Sequence, residues 1–176
     1  MKLIYTASQV REAEKPYIEA VDYDGYLMQR AADAVAAEAQ ELLHGTENAK
    51  ILLLIGPGNN GADTIYAGAR LSAKGHRVDA VIFDPSEKNL ELIAREGGEG
   101  TRVLDPEHTL EHLTGYDLTI DGILGTGSSG AVRGSAGEYL GVLRAAQLDG
   151  KLGAVLAVDT PSGVDNNRGT VHEPSL

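Results

Sequence analysis

Apolar residues in this chain follow two rhythms: helical spacing over roughly the first forty residues, then short unbroken apolar runs alternating with amphipathic stretches. Thr6, followed three positions later by Gln9, forms a capping-box pattern that opens a short helix running to about Lys15, where Pro16 is expected to stop it. The alanine-rich stretch from Tyr26 to Leu43, YLMQRAADAVAAEAQELL, predicts a longer helix. Its Leu27, Ala31, Ala34, Val35, Glu38 and Leu42 form a mostly small-residue face suited to close packing.

From residue 50 the pattern becomes strand then helix. KILLLIG (50–56) reads as a central strand, and DTIYAGARLSAKG (63–75) as the helix after it, ended by Gly75 in a left-handed cap. RVDAVIFD (77–84) supplies a second strand, Ser86 caps a helix through about Arg95, and REGGEG reads as a charged helix end and loop. EHTLEHL (107–113) is a short helix, YDLTIDGI a third strand ending at Asp121, GEYLGVLRAAQL (137–148) a helix, and GAVLAVDTPSG a fourth strand ending at Asp159. This alternation predicts an α/β, three-layer Rossmann-like fold with a mainly parallel central sheet and right-handed crossovers. Neither an internal repeat nor a linker interrupts it, so residues 1–176 are expected to form one domain.

Composition narrows the function. A net charge of -11 and a pI near 4.8 oppose a phosphate-tracking nucleic-acid surface. No apolar stretch reaches membrane-spanning length, and MKLIYTASQV lacks an extended apolar core with a cleavage site, so export is not expected. The absence of cysteine excludes disulfides, iron–sulfur clusters and thiol catalysis, and fits the cytoplasm.

In open α/β sheets ligands bind beyond the carboxyl ends of the strands. Three glycine-rich loops fall there: GPGNNGAD (56–63), DGILGTGSSGAVRG (121–134) and DTPSGVDNNRG (159–169), each with an aspartate at a strand end or helix start. Together they describe one crevice. Gly56, Gly58 and Gly61 match the dinucleotide fingerprint G-x-G-x-x-G, and the small residues of the second loop, with Arg133 beside them, permit close approach to a phosphate. Taken singly, each loop also reads as turn chemistry. His108 and His112, at i, i+4, have no further ligand cluster near them in sequence and read as solvated helix surface; exposure is expected for His44, His76 and His172.

The three loops, in this order and at these separations, resemble the N-terminal YjeF-type domain, the NAD(P)H-hydrate epimerase family. The family pattern GPGNNGGDG, then a strand ending in DAI.G.G, then DIPSG, is similar to Gly56 to Thr64, Asp121 to Gly127 and Asp159 to Gly163. TASQVREAE and LMQRAA also stand where the family has similar stretches, so the resemblance covers nearly the whole chain. Departures are Ala62 and Thr64 in place of glycines, Ser128 and Ser129 where the family often has an aromatic or aliphatic residue followed by lysine or serine, and Ser135 in place of a common proline. The chain ends sooner than the family's domain, which implies a partial domain with one face of its sheet uncovered.

The resemblance implies a cytoplasmic isomerase of nicotinamide nucleotide repair that interconverts the R and S forms of hydrated NADH and NADPH at C6. It implies substrate contacts from Asn59, Asn60, Gly61, Ala62, Asp63, Gly125, Thr126, Gly127, Ser128, Ser129, Gly130, Ala131 and Asp159. Asp159 is the implied acid/base, and Asn60, Asp121 and Ser162 are the implied ligands of a potassium ion. Asp63 is expected to hold its own loop by accepting N–H bonds at the helix start. A homodimer, and a dehydratase fused or separate, are the implied partners. Two alternatives stand beside this reading: an NAD(P)-dependent dehydrogenase or reductase, for which Asp84 falls where a ribose-binding acid belongs, and a non-catalytic Rossmann-like dimerisation module.

Overall fold

β1 (Lys50–Ile55) runs through the middle of the molecule because its apolar run can be buried on both faces, and Ile51 to Ile55 are all fully buried. Side chains alternate across a strand. Ile51, Leu53 and Ile55 therefore join one core while Leu52 and Leu54 join another on the opposite face. The structure, a computed structural model, describes residues 5–20, 25–97 and 100–176.

Parallel partners flank β1 on both sides, β2 (Arg77–Ile82) and β4 (Leu118–Gly122), and the five-stranded sheet has the order β3-β2-β1-β4-β5, with β3 spanning Thr101–Val103 and β5 Ala154–Ala157. The order reverses between β1 and β4, the switch point where doubly wound sheets open a crevice. On one face lie α2 (Tyr26–Leu42), α3 (Asn59–Ala73) and α4 (Glu87–Glu96). The other face is covered by α5 (Pro106–Glu111), a 3-10 turn at Leu113–Gly115 and α6 (Gly134–Leu148).

Several boundaries differ from the sequence reading. α1 (Ala7–Ile18) has the predicted Thr6/Gln9 capping box but continues through Pro16. A proline at the tenth helical position removes one backbone bond without ending so short and exposed a helix. α2 buries Ala32, Ala36 and Ala39, while Ala34 and Glu38 of the expected face are exposed. Alanine spacing alone does not say which side of such a helix faces the sheet. α3 begins at Asn59, four residues before the expected start, and ends at the left-handed Gly75 as predicted.

β3, just after the REGGEG segment, was not legible. Three-residue β3 is pinned by a charge pair: Arg102, opposite Asp79 in register, donates to its carboxylate at 2.8 and 3.0 Å, and the Tyr116 hydroxyl donates to it at 2.8 Å. Asp79 is buried in the centre of β2, so this neutralisation is what lets a carboxylate sit there. An uncovered sheet face is not observed among the described residues; thin cover is confined to the two edge strands, β5, whose four residues are all half-buried, and β3, where Arg102 and Val103 are exposed. A small hairpin of β6 (Val164–Asp165) and β7 (Thr170–Val171) follows β5 and was also unpredicted. Among the described residues no helix is long and apolar enough to cross a membrane.

Candidate active site

Above the carboxyl ends of β1, β4 and β5 the three glycine-rich segments interlock. Gly56 N–H donates to the Gly122 carbonyl at 3.2 Å, and a methyl group at Gly56 would collide with the Ile123 backbone. Gly58 is the extended N-cap of α3 and has no side chain to accept the first-turn N–H groups, which leaves that end of the helix open to an anion. Asn89 of α4 fixes the loop from below, donating its carboxamide N–H to the Gly56 carbonyl at 2.8 Å and to that of Gly58 at 3.3 Å. Sequence reasoning missed Asn89, since one polar residue in a polar helix gives no hint of burial.

Asn60, Asp121 and Ser162 come together beneath this loop, all three buried. The Asp121 carboxylate accepts from Ser162 Oγ at 2.7 Å, Ser162 N at 2.8 Å and Ile123 N at 3.2 Å. Ser162 Oγ in turn accepts from Leu124 N at 2.9 Å. The Asn60 side-chain N–H group donates to the carbonyls of Val158 at 2.8 Å and Leu124 at 3.2 Å, and a methyl group at Gly125 would strike its carboxamide. Burial raises the Asp121 pKa, and the hydrogen bonds from Ser162 and Ile123 lower it again.

Asp159 stands at the crevice mouth. β5 ends two residues before it, and its backbone is left-handed, φ 63°, a conformation that aspartate tolerates better than most residues. Such a strained position recurs at functional sites. Desolvation pushes its pKa up, and the Thr126 backbone N–H pulls it down.

The crevice has a volume of about 570 Å³, within the range of ligand sites. Of the residues expected to meet substrate, Asn59, Asn60, Asp63, Gly125, Thr126, Gly127, Ser128 and Asp159 line it. Gly61 and Ala62 lie behind, buried in the first turns of α3, and Ser129, Gly130 and Ala131 carry the second loop onward without lining the crevice. Arg133 and Asp84 are exposed and also outside it. A wall that sequence reasoning overlooked is α1: Arg11, Glu14 and Ile18, spaced i, i+3 and i+7, all face the space. His108 and His112 are exposed and stacked, with ring centroids 4.8 Å apart, while His76 and His172 are half-buried rather than exposed.

Asp63 departs from its expected role. Because α3 starts at Asn59, Asp63 lies past the first turn, where backbone N–H groups are already committed to the helix, and its buried Oδ1 finds no donor among the described residues. Burial first, then the charges of Asp159 and Glu14, push its pKa up to about 7, against a lowering by Lys88. Between about 4 and 7 the folded protein thus holds a proton that the unfolded chain has released, so this group makes stability fall as pH rises through that window. Asp63→Asn, neutral at every pH, is expected to melt higher relative to the parent at pH 8 than at pH 5. A difference in thermal midpoint that stays constant across that range would contradict this placement of the charge.

A family model described as YjeF-related protein N-terminus matches residues 25–176. The chain is 34% identical to the bifunctional NAD(P)H-hydrate repair enzyme Nnr of Corynebacterium glutamicum over 176 residues, covering 96% of this chain and 29% of that protein. With the NAD(P)H-hydrate epimerase of Microbacterium testaceum it shares 36% identity over 169 residues, covering 94% of this chain and 62% of that one. The corresponding epimerase of Clavibacter michiganensis is 31% identical over 179 residues, at 98% and 75% coverage. The crystal structure of yeast ynu0 superposes with a TM-score of 0.79 at 20% identity, covering 99% of this chain and 77% of that one, a likeness of fold. The chain spans only 29 to 36% of the length of the first bifunctional relatives it matches.

Proposed function

Since the chain belongs to the YjeF-related protein N-terminus family, we propose that its crevice epimerises hydrated NADH and NADPH at C6 as an isomerase of nicotinamide nucleotide repair. The observation that carries this reading is the convergence of Asp159 with the phosphate-type loop on one crevice. A simple turn motif has no need of a left-handed aspartate that lines the same crevice as an uncapped helix N-terminus.

Inversion at C6 requires one bond to that carbon to open and to re-form on the opposite face. A proton must move at the C6 oxygen as this happens, and this reading gives Asp159 the role of giving and retaking it. Its upward pKa shift suits the role, because a carboxyl that holds its proton closer to neutral pH is the better acid there. The open first turn of α3 and the backbone of Gly125 to Gly127 would hold the nucleotide's phosphates. Asp63 also lines the crevice, where its side chain would meet the substrate.

Asn60, Asp121 and Ser162 fit a potassium ion. They offer oxygen donors, and Asp121 is a fully buried carboxylate whose hydrogen-bond partners, Ser162 and Ile123, are neutral. Of these three side chains only Asp121 can carry a charge, so the donor set suits a monovalent ion. The ion would supply charge compensation at the base of the crevice. A cytoplasmic setting, self-association as a homodimer and action beside a dehydratase, as in the bifunctional relatives, belong to the same reading.

Incubating the purified protein with separated R and S hydrates tests it directly. Either isomer is expected to relax to the same mixture faster than without protein, with no change in total hydrate. Hydride transfer with unmodified NAD(P), or no acceleration, would overturn the assignment.

A further inference from the structure

We propose that Arg11 of α1 is the phosphate-recognising cation of the crevice, selecting phosphate-bearing nucleotides. This rests on the epimerase reading for the identity of the nucleotide but not for its chemistry. The charge balance of the crevice carries the inference. Glu14, Asp63 and Asp159 line the space, and the whole chain carries a net charge of -11. A dinucleotide brings at least two further negative charges from its pyrophosphate, so carboxylates alone would repel it. Among the described residues that line the crevice, Arg11 is the one lysine or arginine. Lys88 acts on Asp63 from outside that lining.

The position of Arg11 suits the role. Its Nη1 lies 3.5 Å from the Thr126 carbonyl and 3.9 Å from the place where a side chain on Gly127 would begin. The guanidinium thus sits over the glycine-lined part of the second loop, where the absence of side chains leaves room for a phosphate. Among the described residues that carbonyl contact is its one hydrogen bond, and it makes no ion pair there. The planar fork can therefore turn several N–H donors to a phosphate, the bidentate contact that arginine makes better than lysine. Asn59 and the uncapped start of α3 line the same crevice, so a phosphate bound there also meets the positive end of that helix.

The test uses the whole chain with Arg11→Ala and Arg11→Lys, and three ligands: NADH hydrate, NADPH hydrate and the hydrate of reduced nicotinamide riboside, which lacks phosphate. For Arg11→Ala, KM and the calorimetric Kd for the two nucleotides are expected to rise about ten-fold or more, as when one charge-assisted contact is lost, with kcat little changed. Arg11→Lys falls between, the riboside hydrate is unaffected, and the salt dependence of nucleotide binding is shallower in the alanine variant than in the parent. A larger loss for NADPH hydrate assigns Arg11 to the additional phosphate; equal losses assign it to the pyrophosphate. Because Arg11 is exposed, the thermal midpoint should hardly move. Unchanged nucleotide affinity, or equal losses for nucleotide and riboside, overturns the proposal. Calorimetry separates the two readings: a parent that binds nucleotide hydrates through Arg11 but does not epimerise them refutes the reaction alone, and one that epimerises them with no loss in Arg11→Ala refutes Arg11 alone. A parent that binds neither nucleotide refutes both.

Discussion

Asp159→Asn is expected to slow epimerisation by about 10²- to 10⁴-fold, the usual contribution of a positioned acid/base group. Asparagine keeps the shape of the side chain and is among the few residues that accept the left-handed backbone found at this position. The variant therefore removes proton transfer while leaving the turn intact. Asp159 is solvent-open at the crevice mouth, so little packing energy depends on it. The expected pattern is a large fall in kcat, a small change in nucleotide affinity and a thermal midpoint near that of the parent. Loss of the charge should also lower the Asp63 pKa, since Asp159 is one of the groups that raises it. Near-parental turnover would remove Asp159 from the mechanism. A collapse of the midpoint together with activity would make it a structural residue instead.

What was legible in the chain depended on how local the cause was. β1 and α3 could be read because each advertises itself: an unbroken apolar run, then a glycine-rich turn and a helix ending at Gly75. The convergence of the three loops was also readable, since strand ends in a parallel sheet share one edge. β3 was hidden because it rests on Arg102 reaching Asp79, a contact 23 positions apart that periodicity does not register. The role of Asp63 was misread through a four-residue error in the start of α3: a carboxylate at a helix N-terminus finds free N–H groups, and one a turn later does not. Asn89 and the α1 wall were invisible for a related reason. Their side chains act on a loop or crevice made by other segments, and nothing in their own surroundings in sequence records it.

Asp121→Ala is expected to produce the largest loss of stability. Its carboxylate is the shared acceptor for Ser162 N–H, Ser162 Oγ–H and Ile123 N–H, and through Ser162 it also orders Leu124, so one truncation leaves several buried donors without partners. Each such group costs about 1–3 kcal/mol, and allowing for relaxation the total is roughly 3–5 kcal/mol. For a chain of this size that lowers the midpoint by on the order of 10 °C. Asp121→Asn retains the shape but turns one accepting oxygen into a donor facing donors, so it too should be destabilised, though less. The same residue tests the cation. Burial raises the Asp121 pKa, so ionising it costs stability as pH rises, and a bound potassium ion would remove that cost. Potassium, but not an equal concentration of choline, should therefore raise the parent's midpoint, and the increment should vanish in Asp121→Asn. A parent indifferent to potassium would leave Asp121 as the knot that ties the β4 and β5 loops together and would withdraw the ion from the site.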